Sequence, residues 1–171
     1  LSTDFLYAIA ATDDNGVIVV GESNSGANID KDEVSIGGSA TDYWIIKINQ
    51  TGGICWQETI GGNNQDVGRT IYQKSPGVFV VGGYSYSNTT GDKTENTLGF
   101  FENTDMRIVK LNSSGAIEWQ NTIGGLHIDF AEIIRELPDG SFIVGGNSSS
   151  GIGYDKTVDL HGTGGLTYDI W

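Results

Sequence analysis

Trp56-Gln57-Glu58-Thr59-Ile60-Gly61-Gly62 returns 63 residues later as Trp119-Gln120-Asn121-Thr122-Ile123-Gly124-Gly125. Other landmarks keep the same step. Asn49-Gln50-Thr51-Gly52 becomes Asn112-Ser113-Ser114-Gly115, and a Gly-x-Ser-x-Ser motif begins at Gly21, Gly83 and Gly146. Aspartates recur in threes: Asp4, Asp66 and Asp129, then Asp42, Asp105 and Asp169, then Asp30, Asp92 and Asp155, the last three each followed by lysine. Self-similarity at a fixed step marks a repeat architecture, in which a unit buries its apolar face only against its neighbours.

Each unit reads as four strands. In the first, β-branched and aromatic runs at 5–12, 17–22, 43–49 and 54–59 are separated by Asp13-Asp14-Asn15-Gly16, a long polar stretch and Gln50-Thr51-Gly52-Gly53. Those short turns supply the left-handed positions that hairpins need. The second unit repeats the pattern, and the third starts at Phe130 and reaches its third strand at Trp171. Four-stranded antiparallel units with one aromatic signature apiece predict an all-β chain, specifically a β-propeller with blades at 1–63 and 64–126 and a partial blade at 127–171. Closing such a ring takes roughly four to eight blades. The rest of the ring is therefore expected from the same chain or from other subunits.

Composition agrees with strands. Gly accounts for 26 of 171 residues and only 18% are charged, so long helices have little to form from. A net charge of −13, from 22 acids against nine bases, repels phosphate backbones and anionic lipid, which argues against nucleic acid as a partner. No apolar run approaches the roughly 20 residues of a membrane span, so no membrane insertion is expected. The single Cys55 excludes an intrachain disulfide framework, and beside Trp56 it reads as a small buried residue.

The run Asp42-Tyr43-Trp44-Ile45-Ile46-Lys47-Ile48-Asn49, a turn glycine, Trp56-Gln57-x-Thr59-Ile60-Gly61-Gly62, Asp66 and Val80-Val81-Gly82-Gly83-x-Ser85 resembles a family of long bacterial propeller repeats. These occur in secreted and outer-surface proteins, notably of Bacteroidetes. The resemblance spans essentially the whole chain and implies an extracellular or cell-surface binding or scaffold module. Unit two departs from the pattern, with Met106-Arg107 where the others have Tyr43-Trp44 and Ile170-Trp171. The segments around Trp56 and Trp119 are also similar to the core of pyrroloquinoline-quinone propellers, which implies a quinoprotein-like oxidoreductase as an alternative. A tryptophan that docks one sheet on the next recurs in unrelated propellers and accounts for the same residues.

Up-and-down topology sorts the connections. Tight turns share one end; the other end carries the stretches 24–41, 86–104 and 149–167, longer than the roughly 12 to 15 residues typical of unspecialised loops. Most acids lie in or beside these long loops, so that side should be electronegative. Tyr86, Phe100, Phe101, Arg107 and Tyr154 are the candidates for a ligand-binding face there, able to meet a glycan or a surface protein. Asp30 with Asp32, Asp92 with Glu95 and Asp155 with Asp159 offer carboxylates in loops, a donor type that suits Ca²⁺, the one cofactor considered. Lys31, Lys93 and Lys156 weigh against it. Asp4, Asp66, Asp129, Asp42, Asp105 and Asp169 read instead as acceptors that pin loop to strand.

Two alternatives to a binding module remain. An enzyme, such as a polysaccharide hydrolase or lyase, would use residues that break the repeat: Arg69, Arg107, His127 or Glu132. A purely structural stalk would need none of them.

Overall fold

The computed structural model describes residues 2–99, 103–161 and 168–171. Its elements are strands throughout, in three antiparallel sheets. The first holds β1 (Asp4–Ala11), β2 (Val17–Ser23), β3 (Asp42–Ile48) and β4 (Ile54–Ile60) in that spatial order. The second holds β5 (Asp66–Ser75), β6 (Val78–Ser85), β7 (Asp105–Leu111) and β8 (Ile117–Ile123). The third contains β9 (Asp129–Glu136), β10 (Phe142–Ser148) and the short β11 (Asp169–Ile170). Because every pairing joins sequence neighbours, tight turns gather at one end and long loops at the other.

Local chemistry explains the turns. Asn49 Oδ1 accepts hydrogen bonds from Thr51 N, Thr51 Oγ1 and Gly53 N, and Gly52 takes φ of 86°. Asn112 does the same with Ser114 and Ala116. An Asn side chain that satisfies the backbone two residues on stabilises the turn before any tertiary contact exists.

Stacking of the sheets forms the core. Ile18, Val20, Tyr43 and Ile45 of the first sheet interlock with Ile71, Phe79, Val81, Val109 and Leu111 of the second. The other face of the second sheet, with Val80, Met106 and Ile108, packs on Ala131 and Ile134 of the third. Trp56 reaches across the first junction, edge-on to Phe79 at 5.9 Å, and its Nε1 donates to Ser113 O at 2.9 Å. Trp119 repeats the contact on Phe142. The tryptophans thus dock sheet on sheet. Cys55, one residue from Trp56 on the edge strand, is exposed, contrary to the reading from sequence. It falls at a register shift, where Lys47 is opposite Trp56 and Ile48 opposite Ile54, so the pairing passes over it.

The motif glycine has a steric cause. β1, β5 and β9 each carry a register shift, and Gly21, Gly83 and Gly146 lie beside it. A Cβ on Gly83 would sit 1.9 Å from Val67 O, and on Gly21 or Gly146 1.7 Å from the carbonyl of Phe5 or Phe130. These are backbone atoms in paired strands and cannot step aside. Gly83→Ala is expected to cost more than about 2 kcal/mol, read as a lowered urea midpoint with unchanged m-value. A midpoint within error of the parent would mean the bulge relaxes freely.

Candidate functional site

The long-loop side is built on a latch that occurs three times. In the Gly-x-Ser-x-Ser motif the first serine accepts from the backbone N–H of the second: Ser25 N to Ser23 Oγ, Ser87 N to Ser85 Oγ, Ser150 N to Ser148 Oγ. The second serine's hydroxyl donates at 2.8 Å to the aspartate that opens the sheet, Asp4, Asp66 or Asp129. Asp66 and Asp129 also accept from Gly62 N and Gly125 N. The third-strand aspartates hold the loops: Asp42 accepts from Ile36 N, Asp105 from Leu98 N and Asp169 from His161 N. These six carboxylates pin loop to strand.

Beneath each loop lies a lysine withdrawn from solvent. Lys31, Lys93 and Lys156 are buried, Lys31 to 1% exposure. Lys31 donates to Ser23 Oγ and Ser25 O, and Lys156 to Ser148 Oγ. Both ammonium groups stand over a tryptophan, Trp44 and Trp171, at 5.8 and 5.7 Å from the ring centres. Burial among acceptors lets these cations offset the aspartates beside them.

The second sheet solves the same problem differently. Arg107 stands where Trp44 and Trp171 stand in the other sheets, and it is fully buried. Its guanidinium pairs with Asp66 at 3.4 Å, donates to Gln120 Oε1 at 2.9 Å and lies 5.8 Å from the Tyr43 ring centre. Trp44 Nε1 donates to Gln57 in the same way, so the Arg preserves the N–H to the glutamine. A second cation displaces Lys93, which donates to Glu95 O and Thr122 Oγ1 and is pushed down to about 8 by burial. Arg107, a sequence candidate for ligand contact, is therefore part of the core.

Two open clefts repeat at the junctions between sheets. The first, of about 670 Å³, is lined by Asp32, Glu33, Ile36, Glu58, Thr59 and Asp92 among others. The second, of about 610 Å³, is lined by the equivalent Glu95, Leu98, Asn121, Thr122 and Asp155, with Tyr154 added. In both, a glutamate caps the edge strand: Glu33 accepts from Thr59 N and Glu95 from Thr122 N. The loop backbone is stapled to the preceding sheet, Asp92 N to Gly61 O and Asp155 N to Gly124 O. Such contacts cover the N–H groups an edge strand otherwise leaves open.

Beyond the exchanges Val34 to Asn96 and Ile36 to Leu98, two differences change what the clefts offer a ligand. Glu58 of the first is Asn121 in the second. Burial and then the negative charges of Glu33 and Asp92 raise the Glu58 carboxyl, and burial likewise raises Asp92. A charge at this spot is under electrostatic pressure to meet a cation. The second difference is Tyr154, which takes φ of 50° where Gly91 takes 58°. A tyrosine held in the left-handed region carries a backbone cost of roughly 1–2 kcal/mol, and this one stays 61% exposed at the cleft mouth.

The other sequence candidates fall as follows. Tyr86 is half-buried, edge-on to Tyr84 at 6.2 Å. Phe100 and Phe101 lie outside the described residues. Asp30 and Asp159 are exposed and line neither cleft; Asp32 and Asp92 meet in the first cleft, Glu95 and Asp155 in the second. Among the described residues no three His, Cys, Asp or Glu converge on one point as a metal ion requires, and Glu95 is already committed to Thr122 N. Arg69 and Glu132 pair with each other, Arg69 also covering Tyr7 at 4.4 Å, and His127 is exposed. Glu33, Glu58 and Thr59 escaped the reading from sequence. The spacing of Glu33 to Glu95, in step with the repeat, was the available signal.

Compared with protein-family models and with curated proteins, the chain matches none. Among the described residues, no helix is long and apolar enough to cross a membrane.

Proposed function

We propose that the three sheets are consecutive blades of a β-propeller, and that the chain is a binding or scaffold module of an extracellular or cell-surface protein. Its partner is a protein that inserts a basic side chain flanked by an apolar one into the clefts of the long-loop side. Supporting the blade reading, each sheet stacks on the next through equivalent positions, with β1, β5 and β9 side by side.

The observation that carries the binding reading is the duplicated cleft with a varied lining. Glu33, Glu58 and Asp92 crowd negative charge beside Val34, Ile36 and Ile117, a surface that suits Lys or Arg and an aliphatic neighbour. Tyr154 adds a rigid aromatic at the second cleft, the residue type that dominates interface hot spots. A neutral glycan would use Tyr154 and leave the carboxylates unmatched.

The test is binding of an immobilised library of Lys- and Arg-containing peptides, with a glycan array in parallel. Salt-sensitive peptide capture, weakened about tenfold or more by Glu58→Gln, is the expected result. Capture of glycans alone would replace the protein partner with a sugar, and capture of neither would remove the binding reading. Tyr154→Gly should leave the melting temperature within a few degrees, since release of the left-handed strain offsets the added chain entropy. Binding at the second cleft should nevertheless fall. Loss of stability without loss of binding would make Tyr154 a structural residue.

A further inference from the structure

The edges along which the three sheets converge carry side chains that break the repeat. β1, β5 and β9 run side by side, and each has a bulge at the equivalent place, where one residue is left out of the ladder. Those residues are Tyr7, Arg69 and Glu132. A bulge re-aims the side chain of its extra residue. Here the three meet in a row: the Arg69 guanidinium lies 4.4 Å from the Tyr7 ring centre and pairs with Glu132 at 3.3 Å.

The second strands add to the row. Glu22, Tyr84 and Asn147 hold one position, between the repeated glycine and the first serine of the Gly-x-Ser-x-Ser motif. Glu22 is 6% exposed and accepts from Tyr7 Oη at 2.7 Å and from Gln65 Nε2. The Tyr84 ring lies 4.4 Å from that of Phe130. Its phenol, pushed up to about 12 by burial and then by the charge of Glu22, also stands in the field of Arg69 and Tyr7. The glycines, serines and aspartates around these residues are the same in all three sheets. Architecture accounts for what recurs, and it gives no reason for Tyr, Arg and Glu at one position and Glu and Tyr at the next. Nor is the opening a matter of outer faces. Arg69 belongs to the middle sheet, with a sheet packed on either side, and its side chain keeps 30% exposure.

We propose that this row binds a neutral saccharide, at a site separate from the two clefts. Unlike groups converging among constant neighbours are what a ligand site requires. Charge decides the class. Arg69 is already matched by Glu132, so an anionic ligand has to displace a carboxylate, and a cationic one meets the guanidinium. An uncharged ligand incurs neither cost. A guanidinium has more N–H donors than the two that Arg69 spends on Glu132. Its remaining donors stand beside the spare lone pairs of the Glu132 carboxylate. Neighbouring sugar hydroxyls, each donor and acceptor at once, suit such a paired edge. Tyr7, 39% exposed, and half-buried Tyr84 add rigid rings with polar tips, against which the C–H face of a sugar packs.

The experiment is an array of neutral, uronate-bearing and sulfated oligosaccharides probed with the chain, followed by calorimetric titration of the best neutral binder. Circular dichroism shows that each variant folds. The chain should capture neutral sugars. Arg69→Ala and Glu132→Ala should each weaken the titrated sugar by about tenfold or more, and leave capture of Lys- and Arg-containing peptides unchanged. Glu58→Gln, in the first cleft, should leave the sugar unchanged, so this site and the cleft reading stand or fall separately. If Arg69→Ala unfolds, Glu132→Ala, at an exposed position, decides alone. No capture of any neutral sugar overturns the proposal. Preference for uronate or sulfated sugars, lost in Arg69→Ala, would make the row an anion site and overturn the class. Sugar binding that survives both variants, or that falls with Glu58→Gln, overturns the location.

Discussion

Arg107→Ala should cost about 3–5 kcal/mol, the largest single-residue loss expected in this chain. The substitution leaves the Asp66 carboxylate, fully buried, without its ion-pair partner, and strips Gln120 Oε1 of its donor. Arg107→Trp should instead lie within about 1–2 kcal/mol of the parent, because well-packed apolar replacement of a buried pair is often neutral or stabilising. An indole at this position can donate to Gln120 as Trp44 Nε1 donates to Gln57, and it gives Lys93 a ring to stand over. Asp129, at the position of Asp66 in the third sheet, already keeps one carboxylate oxygen without a partner among the described residues. Urea unfolding of the two variants decides the matter. Equal, large losses in both would show that the Asp66–Arg107 pair is indispensable; equal, small losses would show that it contributes little.

Acidification from pH 8 to pH 5 should raise the melting temperature, opposite to the common behaviour of acid-destabilised domains. Burial pushes the Asp42 carboxyl up to about 6 and the Asp105 carboxyl up to about 7, both from 3.8. One oxygen of each has no hydrogen-bond partner among the described residues, which is why desolvation outweighs the loop N–H on the other. Between pH 4 and pH 7 the folded chain therefore binds more protons than the unfolded chain, so stability is greatest below about 4 for these groups and is lost as pH rises through their folded values. The combined effect is on the order of several kcal/mol. Glu58 and Asp92, raised as well, act in the same direction. Asp14, held at about 2 chiefly by Lys47, acts oppositely and only below about pH 4. Lys93, lowered to about 8, restores stability as pH climbs from 8 towards 10.5. The profile should pass through a minimum between pH 7 and 8. Differential scanning calorimetry across pH 4–10 tests it, and Asp105→Asn should flatten the acid limb. A melting temperature that rises steadily from pH 5 to pH 8 would mean these aspartates are ionised without penalty.

Neither prediction was accessible before folding. A buried arginine looks like any exposed one in sequence, and its environment comes from Asp66 and Gln120, brought in by different strands. The lysines after Asp30, Asp92 and Asp155 read as opponents of a cation site. In the fold they are withdrawn beneath the loops, on serines supplied by the strands. Glu33 and Glu95 are in step with the repeat, yet only strand pairing reveals that each faces an open N–H of an edge strand. The acidic side is accordingly less uniform than its composition suggests: Glu22, Asp42, Asp66, Asp105 and Asp129 are all buried.

What the sequence determined alone is whatever depends on short range and on periodicity. Strand positions, the Asn-x-x-Gly turns, the division into equivalent units and the sorting of short and long connections all follow from local backbone preference repeated about every 63 residues. Tertiary structure decided the fate of every charged group. Whether an Asp accepts a backbone N–H, a Lys leaves solvent or an Arg replaces a Trp depends on desolvation and on partners tens of residues away. Those quantities exist only once the sheets have stacked.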